Sequence, residues 1–589
     1  MTTTATKLPP VQALLIGFGW TGAILAQELT EAGIDVLALE RGGWRDTPTD
    51  FATTFAQDEL RYYWRQELFQ RPSHDTLTIR NNTGQTALPM RQLGSFLPGT
   101  NVGGAGVHWN GQTWRFLPTD FLARSHNLER YGKQAVPDEM TIQDWGVTYA
   151  DLEPHYDRFE YLCGISGKAG NINGQIQEGG NPFEGPRSRE YPNPPMAMSY
   201  PPTLFAEAAR SLGHKPFPQP SANMSRAYTN PLGAQLGPCT YCGFCEKFAC
   251  GNYSKATAQT TILPVLMRKP NFTLRTECEV TKINLDSTGK RAVSVTYVDA
   301  AGREYEQPAE MILLTAYILH NVRLLLTSGI GKPYDPNTGQ GVIGKNYAYQ
   351  ITSSVNVFYE DKLLNPFIGA GAHGMLIDEF NGDNFDHAGL GFIGGGFLGI
   401  VQTGARPIES HATPEGTPTW GSGWKRAIAK NYLRSTSIST HGAVMSYRGN
   451  YLDLDPTYSD VYGRPLMRMT FDYTDNEHRM SDYLTDRAAD VARAMKAREI
   501  KINPRKGSWD VVPYQTTHNT GGAIMGTDPA TSAVNSYLQS WDVPNLFVIG
   551  ASAFPQNPGY NPTGTVAALA YRAAQAITSR YVKAPGPLV

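Results

Sequence analysis

VQALLIGFGWTGAILAQELTEAGIDVLALER, residues Val11–Arg41, decides the fold. An apolar strand over Val11–Ile16 runs into a glycine turn, an amphipathic helix follows, and a second strand is expected over Asp35–Glu40. Gly17, Gly19 and Gly22 form G-x-G-x-x-G at the strand-to-helix turn. The first glycine permits the tight turn, the second lets a pyrophosphate approach the backbone, and the third lets helix and strand pack closely. The helix N-terminus then faces the phosphates. Glu40, at the end of the next strand, is placed to accept hydrogen bonds from a ribose diol. The pattern predicts an α/β fold with a dinucleotide site, a coincidental glycine turn being the alternative. The motif alone does not separate FAD from NAD; its place near the N-terminus favours FAD.

Outward from this unit the chain alternates long irregular stretches with regular ones. Residues 45–90 are polar and aromatic without a clear period, and 130–235 read as ordered loops and short helices. Strands are expected within Asn271–Val298 and over Ile351–Tyr359, Leu390–Val401, Arg468–Tyr473 and Asn545–Gly550. Gly302–Gly331 reads as strand, strand and helix, and long helices are expected over Asp475–Arg498 and Thr563–Arg580. The composition, 41% hydrophobic and 18% charged, allows a large core and excludes global disorder. A net charge of −2 argues against nucleic acid as the main partner. No apolar run is long enough to cross a membrane as a helix. The polar MTTTATKLPP start has no signal-peptide pattern, so the chain is expected to carry no export signal of its own.

Further motifs carry a resemblance. VGGAGVHWNG (Val102–Gly111), LLLTSGIG (Leu324–Gly331), GVIGKNY (Gly341–Tyr347), LDLDPTYSDVYGRPLMRMTFDY (Leu452–Tyr473), YQTTHNTGG (Tyr514–Gly522) and LFVIGASAFPQNPGYNPTGT (Leu546–Thr565) follow the glycine fingerprint in order. Together they resemble the glucose–methanol–choline family of FAD oxidoreductases along most of the chain. Within it, the sequence looks like the flavoprotein subunits of bacterial membrane-bound dehydrogenases acting on sugars and sugar acids. The resemblance implies FAD contacts from Gly17, Gly19, Trp20, Thr21, Gly22, Glu40, Arg41, Gly104, His108, Asn110, Val280, Ala551, Asn561 and Thr563. Two departures stand out: Tyr317 replaces a small residue of the family, and the turn at Gly550–Ala551–Ser552 lacks an Asp often found there.

Oxidising an alcohol by hydride transfer needs a base for the hydroxyl proton, and histidine titrates in the right range. By resemblance His518 is that base and Asn561 its partner, hydrogen-bonding the substrate hydroxyl; a core histidine is the plainer alternative. His108, in GGAGVHW, resembles the flavin-linked histidine of the family's pyranose oxidases. Covalent attachment of FAD through His108 is therefore expected, against a histidine that only packs on the flavin.

Four of the six cysteines, Cys239, Cys242, Cys245 and Cys250, space as C-x2-C-x2-C-x4-C. The run is close to the ferredoxin spacing and predicts an iron–sulfur cluster on loop 238–251, with zinc or a disulfide as competing readings. Resemblance to the membrane-bound glucose dehydrogenase group favours [3Fe–4S] on Cys239, Cys245 and Cys250, leaving Cys242 a bystander; a [4Fe–4S] cluster would use all four. Cys163 and Cys278 stand alone and read as buried small apolar residues.

The expected architecture is a discontinuous Rossmann-like FAD-binding domain from residues 11–45, 90–130, 215–345 and 515–589. A substrate domain from 46–89, 131–214 and 346–514 supplies a mostly antiparallel sheet as floor. The resemblance implies oxidation of a sugar or sugar acid, gluconate favoured over sorbitol, 2-ketogluconate, fructose or glucose. Electrons would leave singly through the cluster to a membrane-anchored multihaem cytochrome c subunit. A small subunit would carry the export signal, and the complex would sit on the periplasmic face of the inner membrane. An oxygen-using oxidase and a non-catalytic flavin and iron–sulfur redox sensor are the alternative readings.

Overall fold

The computed structural model describes residues 5–51, 68–73, 75–92, 94–404 and 412–588. The expected strand at Val11–Ile16 forms there, and the helix Trp20–Glu31 follows the glycine turn. The next strand is shorter than expected, Val36–Leu39. These strands lie side by side in parallel register, Ala13 opposite Val36 and Ile16 opposite Leu39. Phe272–Arg275 extends the sheet on one side, again in parallel.

On the other side lies Glu304–Leu314, one strand of eleven residues where two were expected. It remains continuous because it changes partners along its length. Its first half pairs antiparallel with Ala292–Val298, and Pro308 sits opposite Ser294 in that register. Its second half runs parallel between Val11–Ile16 and Leu546–Val548. The closing helix Thr563–Ala576 packs on Trp20–Glu31 and ends in a wider turn, Ile577–Tyr581.

A second sheet is antiparallel throughout, in the order Glu499–Asn503, Ile351–Phe358, Ser435–Gly442, Gly396–Val401, Gly374–Ile377 and Phe217–Pro218. The strand expected from Leu390 starts only at Gly396, because Gly391 and Gly394 take left-handed backbone angles. Side chains alternate across this sheet. Met375, Ile377, Leu398, Ile400 and Ile438 join a core with Ala488, Ala489 and Val491 of the helix Asp475–Ala494. That helix opens on a capping box between Thr474 and Glu477. It stops short of the expected Arg498, and Lys496 turns left-handed before the edge strand begins. The opposite face of the sheet is turned to the large cavity described below.

Within 130–235, read as loops and short helices, two substantial helices form: Tyr149–Cys163 and Tyr200–Ser211. In the 45–90 stretch, residues 52–67 and 74 lie outside the described residues, and short strands form at Thr78–Arg80 and Leu88–Pro89. Among the described residues no helix is long and apolar enough to cross a membrane.

Candidate active site

One cavity of about 520 Å³ runs from the glycine turn to the second sheet. Its volume is that of a small-molecule or cofactor site. Gly17, Gly19, Trp20, Thr21, Glu40, Arg41, Gly104, His108, Asn110, Val280, Ala551, Asn561 and Thr563 line it, as does His518. Gly22 does not. A Cβ on Gly22 would stand 2.4 Å from Gly17 O, so this glycine serves the packing of helix against turn.

The glycine turn is shaped for a phosphate. Gly17 takes φ 95°, and a Cβ there would press on Ala316. Gly19 caps the helix with no side chain over the helix end, and a Cβ there would find only Gly103 O, at 4.0 Å. Gly104, at φ 56°, approaches the same point from the second glycine loop. The first N–H groups of the helix are therefore open to an anion. Glu40 is buried and accepts from Phe18 N and Gly42 N, both at 2.8 Å. Burial raises its carboxyl above the usual range, and those two N–H groups partly offset the rise. Arg41 pairs with Asp75 beside His320, at the same end of the cavity. An open helix end, a cradle of two glycine loops and a ribose-seeking carboxylate fit FAD.

At the second sheet the cavity meets His518 and Asn561, the pair expected from the resemblance to be catalytic. His518 Nδ1 lies 2.6 Å from Gln350 Oε1, and His518 Nε2 lies 3.1 Å from Asn561 Nδ2. Gln350 Nε2 donates to Pro558 O at 2.9 Å and Tyr560 O at 2.8 Å, which turns its oxygen to the imidazole. Nδ1 therefore carries the proton and Nε2 the lone pair. Trp114 Nε1 donates to Asn561 Oδ1 at 2.9 Å, so the amide of Asn561 presents its NH₂. A lone pair and an N–H thus converge, the arrangement that grips a hydroxyl by its hydrogen and its oxygen. Burial, with the nearby His441, lowers the His518 pKa to about 3 and keeps the ring neutral.

His108 is buried, and its Nε2 donates to Leu97 O at 2.9 Å. Nδ1 is then the lone-pair atom, and it is buried without a partner. Burial and the charge of Lys255 lower its pKa to about 3.

The cysteine loop packs against this wall. None of Cys239, Cys242, Cys245 and Cys250 lines the cavity, but Glu246 and Lys247 between them do. Lys247 N donates to His108 O at 2.9 Å, and Lys247 Nζ sits over the Tyr514 ring at 3.9 Å. Lys255 is fully buried beneath the loop and donates to Trp109 O, Cys245 O and Phe248 O at 2.7–2.9 Å. The four thiols are in electrostatic reach of one another, and burial pushes Cys239 up to about 11. None of the six cysteines forms a disulfide. Among the described residues no three His, Cys, Asp or Glu side chains gather tightly enough to hold a single metal ion. Instead Cys245 Sγ donates to Asn223 Oδ1 and Cys250 Sγ to Asn252 Oδ1.

Three residues beside His518 and Asn561 were not foreseen from the sequence. Gln350 lies just before a strand, and no motif marks it. Trp114 acts only through Asn561. His441, in Ser435–Gly442, stands in a stretch with no family motif. Tyr317, the departure noted above, lines the cavity and accepts from Asn519 Nδ2.

Comparison with known proteins agrees with this geometry. Family models described as GMC oxidoreductase match residues 221–352 and 446–570. The chain is 52% identical, over its whole length and 96% of the other, to a gluconate 2-dehydrogenase flavoprotein of Pantoea cypripedii. It is 24% identical to the fructose dehydrogenase large subunit of Gluconobacter japonicus, over 96% of this chain and 97% of that one. In structure it resembles pyridoxine 4-oxidase from Mesorbium loti, with TM-score 0.57 and 17% identity, covering 97% of this chain and 99% of the other. The family models and the full-length kinship show that the chain belongs to the GMC oxidoreductase family and is an FAD-dependent oxidoreductase.

Proposed function

We propose that this FAD-dependent dehydrogenase oxidises a sugar acid, gluconate above the other sugars considered, and delivers the electrons through an iron–sulfur cluster to a cytochrome c subunit. The observation that carries the reading is the His518–Asn561 pair, set in a chain 52% identical to a gluconate 2-dehydrogenase flavoprotein. FAD bound in the cavity supplies the hydride acceptor. His518 Nε2 takes the hydroxyl proton, and Gln350 Oε1 holds Nδ1–H and stabilises the charge the ring then gains. Asn561 Nδ2 donates to the hydroxyl oxygen and orients it.

The cluster reading rests on the donor set. Four thiols share one run, and backbone N–H groups already point at two of them: Tyr241 N donates to Cys239 Sγ at 3.3 Å and Lys255 N to Cys250 Sγ at 3.4 Å. Left-handed angles at Tyr241, Gly243 and Lys247 turn the loop sharply between successive cysteines. Three-iron ligation by Cys239, Cys245 and Cys250 is favoured, and four-iron ligation would add Cys242. Covalent FAD at His108 is supported by the unpartnered Nδ1. The partners and the periplasmic location follow the resemblance, and the fructose dehydrogenase relative is itself named a large subunit.

The deciding experiment is an anaerobic substrate screen by flavin bleaching on the complex expressed with its neighbouring subunits. Gluconate is expected to bleach the flavin at the lowest concentration. Cys245→Ser is expected to abolish the cluster's EPR signal and cytochrome reduction while leaving bleaching intact. Failure of gluconate to bleach would overturn the sugar-acid reading, and rapid peroxide formation in air without an acceptor would overturn delivery of the electrons to a cytochrome.

A further inference from the structure

The second sheet presents Leu376, Phe397, Gly399, Val401, Ser439 and His441 to the cavity. On this mostly apolar floor His441 stands out. It pairs across the strands with Phe397, and its ring lies flat on the phenyl, centroids 5.0 Å apart and planes within 8°. Its centroid is 6.3 Å from that of His518. Its Nδ1 is buried and has no hydrogen-bond partner.

Stacking on Phe397 does not call for a histidine, since an apolar ring would stack as well without burying an unpaired nitrogen. A buried polar atom left unmade costs stability, and such atoms persist where a ligand completes them. His441 also lines the cavity that His518 and Asn561 line. Two imidazoles at this spacing suit two oxygens on neighbouring carbons, one for each ring.

We propose that His441 is a specificity-determining residue that hydrogen-bonds the oxygen on the carbon next to the one oxidised, so that the site takes vicinal diols and 2-hydroxy acids and discriminates against monohydric alcohols. The proposal rests on the alcohol-oxidising role of His518 and Asn561 and sharpens the sugar-acid reading. A neutral imidazole suits the task, having one donor and one acceptor nitrogen. Glu246 faces it from the cysteine loop and His518 from the C-terminal segment. A site built around a substrate oxygen rejects the analogue that lacks it, because its own polar group is then left unpaired.

The test compares wild type, His441→Phe and His441→Gln as FAD-loaded complexes. Anaerobic flavin reduction is followed with gluconate, butane-2,3-diol and butan-2-ol. The wild type is expected to prefer the diol to butan-2-ol. H441F keeps the stack on Phe397 and is expected to lower kcat/KM for gluconate and the diol about tenfold or more. H441Q keeps an amide donor and is expected to recover part of the loss. The rate with butan-2-ol, flavin content and visible spectrum are expected to stay within about twofold. Equal wild-type kcat/KM for diol and butan-2-ol, or an unchanged H441F, or an equal loss on all substrates, would overturn the proposal. If gluconate fails to bleach the wild type while the diol pattern holds, the sugar-acid reading fails and this inference stands.

Discussion

Gln350 and His518 come from different parts of the chain, one beside the second sheet and one in the C-terminal segment, yet their side chains share a hydrogen bond of 2.6 Å. Because the Gln350 amide nitrogen is held by two backbone carbonyls, its oxygen dictates which imidazole nitrogen carries the proton. Replacing Gln350 by Leu removes that dictation. The expected result is a fall of about a hundredfold in the rate of flavin reduction, with flavin content unchanged. Stopped-flow measurement of the reductive half-reaction checks it; an unaltered rate would mean that the tautomer is set elsewhere.

The pH profile follows from the same ring. Burial lowers the His518 pKa to about 3, so the base is neutral well below the range where an ordinary histidine protonates. Flavin reduction is expected to stay flat as pH falls through 6.5 and to decline only under about pH 5. An acid limb near pH 6.5 in kcat/KM would show that His518 titrates as an exposed histidine.

Lys255 anchors the cysteine loop from below by donating to three carbonyls. Lys255→Met leaves those acceptors without their donor, and buried groups left unmade cost about 1–3 kcal/mol each. The variant is expected to lose about 3 kcal/mol or more of stability and to hold less iron, by denaturant unfolding and metal analysis. A variant with wild-type unfolding and iron content would contradict the anchoring role.

Asp378 lies behind the pair: Tyr560 donates to it, stacks on Trp114, and precedes Asn561. Burial raises Asp378 to about 7, with Tyr560 and Asn181 partly offsetting; burial likewise raises Asp120 to about 7, with Asp378 adding to the rise. Between about pH 4 and pH 7 the folded form holds protons that the unfolded chain has released, so these groups cost stability as pH rises across that window. Asp378→Asn removes one of them and keeps an acceptor for Tyr560. Its melting temperature, relative to wild type, is expected to improve from pH 5 to pH 7.5. A constant difference would place the carboxyl at an ordinary pKa.

The parts legible in the sequence are those whose signal is local. The fingerprint around Gly17 and Gly22 shows itself because only glycine fits the turn and the close packing of helix against it. His518 and Asn561 were singled out by the motifs that surround them, and the structure brings their side chains within 3.1 Å of each other. Glu304–Leu314 was misdivided because its partners change halfway, and those partners lie hundreds of residues apart. Gln350 and His441 were not legible for a related reason. Gln350 bonds a neighbour brought in by tertiary packing and His441 reaches the cavity only through the pairing of its strand, and neither carries a spacing that distinguishes it from a buried polar residue. The helix Tyr149–Cys163 was obscured by Pro154, which lies within its first two turns.

The order of strands in the first sheet has a consequence for how the protein is made. Val11–Ile16 emerges first from the ribosome, but its neighbour on one side arrives with residue 304 and that neighbour's other flank only with residue 546. His518 and Asn561 come from the last stretch as well. A nascent chain therefore holds an unfinished dinucleotide cradle until residues 546–548 have been made, and the cofactor cannot be enclosed before then. Pairings over such long sequence distances fold slowly, which exposes the open parallel edge to chaperones meanwhile. No break between residues 22 and 518 would leave one fragment with both the phosphate turn and His518, so half-length pieces of this enzyme are expected to be inert unless they reassociate.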